Sequence, residues 1–283
     1  MRRTKHAPRK PPLHALKTWA TGLFARVRPD APGKPVAMAQ GVGGAPSQPP
    51  APDRARLLLA VAEYLRQPLY ALSLTSESLL RHPQRPPGPS VLLQMKAALR
   101  SLDERLDALR LMAGLDSGSL RPEVKDFSLQ PLLDRLDLAY GPLAASKGLR
   151  WDVTPSAARV RSNPVLLERM LGNLVGNAVR FTARGGVVVS CRFRGPHLLL
   201  QVWDTGGGID PAHEPHVFDA FFRGVSEADG DTGAGLGLAI VKSAAVALGI
   251  DVGVRCAAGR GTCFSLRVPL TAGAARGPAS LEG

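Results

Sequence analysis

The region between residues 53 and 114 places apolar side chains at alternating spacings of three and four. The first run comprises Leu58, Val61, Leu65, Pro68, Leu72, Thr75 and Leu79. The second run follows a proline-rich loop and comprises Leu92, Met95, Leu99, Leu102, Leu106, Leu109 and Ala113. This spacing predicts two helices in an antiparallel hairpin. Because one hairpin buries both stripes poorly, we expect two chains to form a dimeric four-helix bundle, which charged residues at Leu65 and Leu106 would disrupt.

The rest of the chain alternates between helical and strand patterns after a break at Gly114–Glu123. Asn163-Pro164 is a strong helix start, since Asn caps well and Pro suits the first helical position. The predicted order is a helix at about 128–146, a strand at about 149–154, a helix from Pro164, strands near 186–194 and 197–203, a helix after Gly237 and a strand pair at about 250–268. The expected fold class is therefore α+β, a helical hairpin followed by an α/β sandwich with an antiparallel-looking sheet.

The first of four candidate binding motifs lies on the helix predicted after Pro164. Asn173 and Asn177 are four residues apart, so they share one helix face. Amide oxygens on such a face can hold Mg²⁺, which takes oxygen ligands and shares them with phosphates and waters. Arg180 adds a cation suited to phosphate. Alone, an Asn pair of this spacing is usually ordinary helix decoration.

Three further motifs follow in order along the chain. A carboxylate, Asp204, ends an apolar strand just before Gly206 and Gly208, where it can accept the adenine amino proton while the glycines allow close backbone approach. An aromatic group with hinge character comes next, formed by Phe218, Phe221 and Phe222. A glycine loop then enters a helix N-terminus, which suits phosphate binding. Its residues are Gly233, Gly235, Gly237 and Leu238.

These four motifs, in this order and with these separations, resemble the N, G1, F and G2 boxes of the histidine-kinase ATP-binding domain. The resemblance covers about residues 55–270 and implies a Bergerat-type α/β sandwich that binds ATP with Mg²⁺. Relatives that hydrolyse ATP carry a glutamate where Asn173 stands, as general base on water, and an amide cannot accept that proton. The resemblance therefore favours the histidine-kinase branch. It also places Asp229–Asp231 in a lid over the phosphates.

The first hairpin helix departs from that family where the phosphate acceptor belongs. In sensor histidine kinases the segment resembling residues 62–69 reads Ser-His-Asp/Glu-Leu-Arg-x-Pro-Leu. Here Glu63 stands in the histidine position and Tyr64 in that of its acidic neighbour. A carboxylate is a poorer nucleophile than imidazole at neutral pH, and its charge opposes the approach of ATP. We therefore expect the nucleotide site to be intact and the covalent step to be disabled.

Gln67 offers a second chemistry at the same place. In bifunctional histidine kinases the residue four beyond the histidine holds a water that dephosphorylates the response regulator, and here that residue is Gln67. A glutamine amide can orient water without any phosphohistidine. The competing interpretation is that Gln67 merely belongs to the Leu-Arg-Gln-Pro-Leu sequence common in one kinase subgroup. His82, about five helical turns away, is a poor substitute acceptor.

Charge is concentrated at the start of the chain. Residues 1–50 hold nine Lys/Arg and one acid, Asp30, so they supply +8 of the net +13. Such a segment can touch nucleic acid or anionic lipid, but is more often a solvated extension. It contains one helix-like apolar stripe, which could lie on a membrane surface, a partner or the next element. The stripe consists of Leu13, Leu16, Ala20, Leu23, Phe24 and Val27.

The three cysteines lack metal or disulfide spacing, and no apolar run is long enough to span a membrane, so we expect free thiols and a cytoplasmic location. The expected organisation is a basic, mostly disordered tail and linker (1–53), a dimerisation hairpin (54–114), an ATP-binding domain (123–270) and a disordered end (271–283). The expected function is a histidine-kinase-like regulator or phosphatase of a response regulator. Two alternatives stay open: a kinase that phosphorylates a histidine on a partner, including a partner histidine kinase, and a non-enzymatic ATP-sensing scaffold.

Overall fold

The computed structural model describes residues 34–35, 54–80, 88–222, 235–257, 259 and 261–272. Several predictions fall outside these residues. They concern nearly all of the basic start and its linker, the loop with His82, the loop with Asp229–Asp231 and Gly233, and the end of the chain from residue 273. Within the described parts, no helix is long and apolar enough to cross a membrane.

The predicted hairpin is present as two long helices, α1 (Arg54–Leu80) and α2 (Pro89–Asp116). The apolar stripe of α1 lies between the helices, where Val61, Leu65 and Leu72 are half-buried. The stripe of α2 divides into two sets. Met95, Leu102 and Leu109 are half-buried, whereas the remaining set is exposed: Leu92, Leu99, Leu106 and Ala113. Half of the α2 stripe thus has no cover within the described residues.

The remaining elements form a helix-on-sheet sandwich. The strands are β1 (Lys34–Pro35), β2 (Lys125–Ser128), β3 (Arg150–Val153), β4 (Arg159–Ser162), β5 (Gly186–Arg194), β6 (His197–Asp204), β7 (Asp251–Ala257) and β8 (Gly261–Pro269). The helices are α3 (Gln130–Ser146), α4 (Pro164–Phe181) and α5 (Gly237–Leu248), with a short 3₁₀ helix at Glu214–His216. The larger sheet has the order β1-β7-β8-β6-β5-β3, and β2 pairs with β4 separately. The expected α+β class is confirmed.

Two local expectations have definite outcomes. Asn163 caps α4 as expected, since its side chain accepts from the Leu166 backbone N–H at 2.9 Å. The expectation of an antiparallel sheet is wrong at one edge, because β3 pairs with β5 in parallel. A parallel neighbour requires a crossover, and here β4 and α4 supply it. The short β2–β4 pair was not predicted, because four-residue strands rich in charge carry little periodicity.

One face of the large sheet carries the core. Side chains that alternate along β5 and β6, such as Val187, Val189, Leu200 and Val202, are at most 1% exposed and pack with apolar residues of α3, α4 and α5. The strand ends and helix starts that carry the predicted motifs are therefore fixed by a continuous apolar layer. This layer holds the motifs of α4, β6 and α5 in one place.

A second, smaller apolar cluster joins the hairpin to the sandwich. Ala108 of α2 packs with Leu236 and Ile240 at the start of α5, each at most 6% exposed. Tyr64 of α1 and Phe221 contact the same cluster. The residue beside the predicted acceptor position therefore lies against the loop that leads to the glycine motif.

Candidate functional site

The polar face of α4 points towards the start of α5. Asn173 donates from Nδ2 to the Gly237 carbonyl at 3.1 Å, so the amide bridges the two helices. Asn177, one turn further, is half-buried on the same face. The guanidinium of Arg180 lies 5.4 Å from the centre of the Phe181 ring, in the last turn of α4. The structure thus brings two amide side chains and a cation to one edge of the sandwich.

Asp204 is the most strongly perturbed acid of the site. Its carboxylate is 8% exposed, and Oδ1 accepts from the backbone N–H of Gly206 at 2.8 Å and of Thr262 at 3.2 Å. Burial raises the pKa of Asp204 to about 6, against the lowering effect of those two donors. Because Oδ1 takes both of these backbone donors, Oδ2 has the capacity to accept an external N–H. This arrangement suits an exocyclic amine on a flat heterocycle.

Glycine is required at two positions of the site where one backbone segment approaches another most closely. A Cβ at Gly206 would lie 2.7 Å from the Phe181 carbonyl oxygen. Gly235 has φ +68, and a Cβ there would lie 2.5 Å from the Phe222 carbonyl oxygen. Gly208 also has a positive φ, of 75. The backbones of Phe222 and Gly235 are therefore in close contact.

The glycine motif continues into the first turn of α5. Gly237 is its first residue and packs against Asn173, whose side-chain atoms would lie 3.7–3.8 Å from an added Cβ. Leu238 is half-buried and packs on the core cluster. The backbone N–H groups of this turn suit an anion, because helix starts carry donors without intrahelical partners and partial positive charge.

The aromatic motif divides between core and loop. Phe218 is 4% exposed and meets the Phe264 ring edge-on at 6.0 Å. Phe221 is the described non-glycine residue with positive φ, at 64, which costs roughly 1–2 kcal/mol for an ordinary side chain. Its ring meets that of Tyr64 at 6.3 Å, and its N–H donates to the Gly235 carbonyl at 3.0 Å. A strained residue therefore links the hairpin to the glycine loop.

The acceptor position on α1 carries its own ion pair. Glu63 lies 2.6 Å from Arg66, and both side chains are more than 60% exposed. Tyr64 is half-buried, and burial raises the pKa of its phenol. Arg105 of α2 donates to the Tyr64 carbonyl, covers the Tyr64 ring at 4.7 Å and donates to Gln67 Oε1 at 3.4 Å. Gln67 is thus held at the surface, one turn from Glu63.

Two contributors were missed by sequence reasoning. The Thr262 backbone N–H donates to Asp204, and its only signal in the sequence was that the resemblance covers residues up to about 270. Arg105 fixes Tyr64 and Gln67, but nothing in the stripe of α2 distinguishes it from other outward cations. The three thiols are free as expected, and burial raises the pKa of Cys191 and Cys263 to about 12. Such thiols are poor nucleophiles at neutral pH.

Comparison with known proteins identifies proteins to which this chain is similar. Residues 162–272 match the family described as histidine kinase-, DNA gyrase B-, and HSP90-like ATPase. Sensor histidine kinase RcsC of Salmonella typhimurium is 30% identical over 227 residues, which are 77% of this chain and 23% of that protein. The autoinducer 2 sensor kinase/phosphatase LuxQ of Vibrio cholerae is 32% identical over 229 residues, which are 77% of this chain and 26% of that protein. The chain therefore spans about a quarter of the length of these curated relatives.

Solved structures extend the likeness across both parts of the fold. The Acinetobacter baumannii histidine kinase AdeS superposes with a TM-score of 0.60 at 20% identity, covering 73% of this chain and 97% of that one. Full-length ShkA in complex with AMPPNP superposes with a TM-score of 0.57 at 25% identity, covering 77% of this chain and 46% of that one. The shared fold includes the hairpin as well as the sandwich, since residues 123–270 alone are little more than half of the chain.

Proposed function

We propose that this chain, which belongs to the histidine-kinase group of the ATP-binding family matched above, is a two-component signalling protein that binds Mg-ATP without phosphorylating itself at the usual position. One observation carries the proposal. An assembled nucleotide site coexists with a carboxylate and a phenol where the family has an imidazole and its acid partner. The chain is in this sense a pseudokinase that regulates, or removes phosphate from, a response regulator.

The geometry of the site supports ATP binding. Asp204 presents one oxygen for an exocyclic amine, and the start of α5 presents backbone donors for phosphate. Asn173 and Asn177 would hold Mg²⁺ through amide oxygens. In the described residues no group of three or more His, Cys, Asp and Glu side chains could form a metal site, so the ion would complete its shell with phosphates and waters. The metal would neutralise phosphate charge when bound.

The hairpin supports the absence of ordinary autophosphorylation. Position 63 offers a carboxylate already paired with Arg66, and Tyr64 packs on Phe221 rather than orienting a nucleophile. Incubating the purified chain with labelled ATP, with and without candidate response regulators or partner kinases, tests the proposal. Acid-labile, base-stable label on this chain alone would contradict it. Label on a partner histidine would favour the kinase alternative, and no effect on any partner would favour the ATP-sensing scaffold.

The phosphatase role rests on Gln67. Its amide is exposed, lies one turn from Glu63 and is held by Arg105 at 3.4 Å. LuxQ, a relative at 32% identity, is named a sensor kinase/phosphatase. An amide held at the surface beside the docking face of a response regulator can orient a water for attack on its acyl phosphate.

Gln67→Ala should lower the rate of response-regulator dephosphorylation at least about tenfold, because positioned acid–base and water-orienting groups contribute that much or more. The measurement is the decay of a phosphorylated cognate regulator in the presence of excess protein. Ser73→Ala is the control, since Ser73 lies on the same helix and its hydroxyl donates to the Leu69 carbonyl one turn back. Equal decay with wild type and Gln67→Ala would remove Gln67 from the mechanism.

The exposed half of the α2 stripe supports a homodimer. Leu92, Leu99 and Leu106 recur every seven residues and are 51%, 50% and 40% exposed, respectively. Sustained heptad leucines of this kind pack against a second hairpin in a four-helix bundle. The dimer would bring two acceptor positions and two nucleotide domains into one assembly.

Leu99→Asp with Leu106→Asp should convert the protein to monomers, because unpaired charges buried at a helical seam cost several kcal/mol. Light scattering at micromolar concentration measures the mass. Gln94→Asp with Ala97→Asp adds the same two charges at other exposed positions of α2 and should leave the mass unchanged. A wild-type protein that is already monomeric would rule out the bundle.

A further inference from the structure

A proline inside α1 changes the hydrogen bonding of the residue beside the acceptor position. In a regular helix the Tyr64 carbonyl would accept from the backbone N–H of residue 68, but that residue is Pro68, which has none. Tyr64 is half-buried and Pro68 is buried, so water replaces the missing donor poorly. A carbonyl in such a place is stabilised by a partner from elsewhere in the fold. Pro68 therefore makes the Tyr64 carbonyl an acceptor for a neighbouring helix.

Arg105 of α2 supplies that partner and contacts α1 at two further points. One guanidinium nitrogen, Nη1, donates to the Tyr64 carbonyl, and the other, Nη2, donates to Gln67 Oε1 at 3.4 Å. The guanidinium also lies over the Tyr64 ring, 4.7 Å from its centre. Because the planar fork of arginine is rigid, a bond from Nη1 to a fixed backbone atom also fixes the direction of Nη2. The carbonyl that Pro68 leaves open thereby sets the donor that faces Gln67.

The bond from Arg105 gives Gln67 a defined orientation at the surface. Gln67 is exposed, and the side chain of an exposed glutamine otherwise moves among several rotamers. Arginine has donors only, so the oxygen of the amide faces Arg105. An amide oxygen has two lone pairs, which leaves one lone pair and both N–H groups of Gln67 for a water and a phosphoryl group. The amide is then ordered before the substrate arrives, and that order does not have to be gained during the reaction.

The ATP-binding domain supports the same arrangement from the other side. Ala108, which follows Arg105 by about one turn of α2, packs on the start of α5. Tyr64 contacts the same cluster, and its ring meets the Phe221 ring at 6.3 Å. The ring that Arg105 covers is therefore also held by Phe221 of the sandwich. Docking of the sandwich on the hairpin thus restricts the Tyr64 ring, and with it the guanidinium that lies over this ring.

We propose that Arg105 is a positioning residue, which holds the Gln67 amide in the orientation that directs a water at the acyl phosphate of a response regulator. The inference deepens the proposed phosphatase function and rests on it for the chemistry, whereas the orientation of Gln67 can be measured without a regulator. In the reaction the water oxygen bonds to phosphorus, and the bond from phosphorus to the acyl oxygen breaks with its electron pair on the released carboxylate. Both water protons leave on dihydrogen phosphate. Arg105 bonds to none of these atoms and acts through Gln67.

A double-mutant cycle on the full-length protein tests whether Arg105 acts through Gln67. Arg105→Ala should lower kcat for dephosphorylation of a phosphorylated regulator roughly three- to tenfold with little change in KM, because the amide remains and only its orientation is lost. Arg105→Ala with Gln67→Ala should be no slower than Gln67→Ala alone, since the effects of residues that act as a unit do not add. Arg100→Ala removes the same charge from an exposed position of α2 and should leave kcat unchanged. Additive losses in the double variant would overturn the proposal.

A measurement without a regulator separates this proposal from the proposed function. With isotope-labelled glutamine, the side-chain amide resonance of Gln67 is the one that Gln67→Ala removes from the NMR spectrum. Arg105→Ala should move this resonance to the position of a free glutamine amide, whereas Arg100→Ala should leave it in place. An unmoved resonance in Arg105→Ala would refute the proposal. If Arg105→Ala does not fold, Arg105→Lys is judged by the same criterion, because lysine keeps the charge but lacks the planar fork. A resonance that moves as expected, in a protein that dephosphorylates no regulator, would support the placement of Gln67 by Arg105 and overturn the phosphatase function.

Discussion

Glu63→His combined with Tyr64→Asp is expected to turn a chain that takes no phosphate from ATP into one that forms phosphohistidine. In the wild type, position 63 is a glutamate that is paired with Arg66, and its negative charge opposes the approach of the nucleotide. The Tyr64 phenol cannot replace the acidic neighbour that takes the proton of the family's histidine. The double substitution supplies both missing groups of the family segment. Autoradiography after incubation with labelled ATP, followed by acid and base treatment, measures the product, which should be acid-labile and base-stable.

The same substitution also removes one contact between the hairpin and the sandwich, so a control must separate the two effects. Tyr64 contacts Phe221, and Tyr64→Asp removes that aromatic contact. Glu63→Gln with Tyr64→Asp releases the contact without an imidazole and should stay unlabelled. Asn177→Ala added to the His–Asp variant should abolish its label by removing a proposed metal ligand. If the protein with Glu63→His and Tyr64→Asp binds ATP but takes no label, the ATP-binding domain has lost the capacity for phosphotransfer. That result would favour the non-enzymatic ATP-sensing scaffold.

The sequence predicted those parts of the molecule that depend on local pattern. The seven-residue stripe of α2 and the Asn163 cap each depend on the residues of a single helix, and both are present in the structure. Asn173 and Asp204 were found because the family motifs keep fixed separations along the chain. The fold class followed from the alternation of helical and strand patterns, and the resemblance of the motifs implied the Bergerat-type sandwich.

Contacts between distant segments could not be predicted in this way. Arg105 reaches Tyr64 and Gln67 across 41 and 38 residues, and Thr262 reaches Asp204 across 58. Each depends on helix packing or strand register, which no local spacing records. The burial of Trp203 and Gln201 was equally unpredictable, because both residues have the ordinary alternation of a half-exposed strand. Only the structure shows that these two side chains, on the face of the sheet opposite the core, are at most 2% exposed.

Asp204→Asn is expected to stabilise the nucleotide-free protein at alkaline pH while it weakens ATP binding. Burial raises the pKa of Asp204 from 3.8 to about 6, so the folded state binds a proton more tightly than the unfolded state does. Stability contributed by this carboxyl is therefore complete below pH 3.8 and is lost as pH rises towards 6. Ionised Asp204 then costs about 3 kcal/mol in the folded chain, as an order of magnitude. An amide avoids that cost.

The free energy of unfolding at two pH values tests the direction of this effect. The Asn variant should be more stable than wild type to urea by up to about 3 kcal/mol at pH 8, and by less than about 1 kcal/mol at pH 4. ATP affinity measured by calorimetry at pH 8 should fall at least about tenfold, because an amide nitrogen in place of Oδ2 would face the adenine amine donor to donor. Asn177→Ala is the complementary control, with weaker Mg-ATP binding and no such pH-dependent stability. Equal ATP affinity in wild type and both variants would remove Asp204 and Asn177 from the nucleotide site.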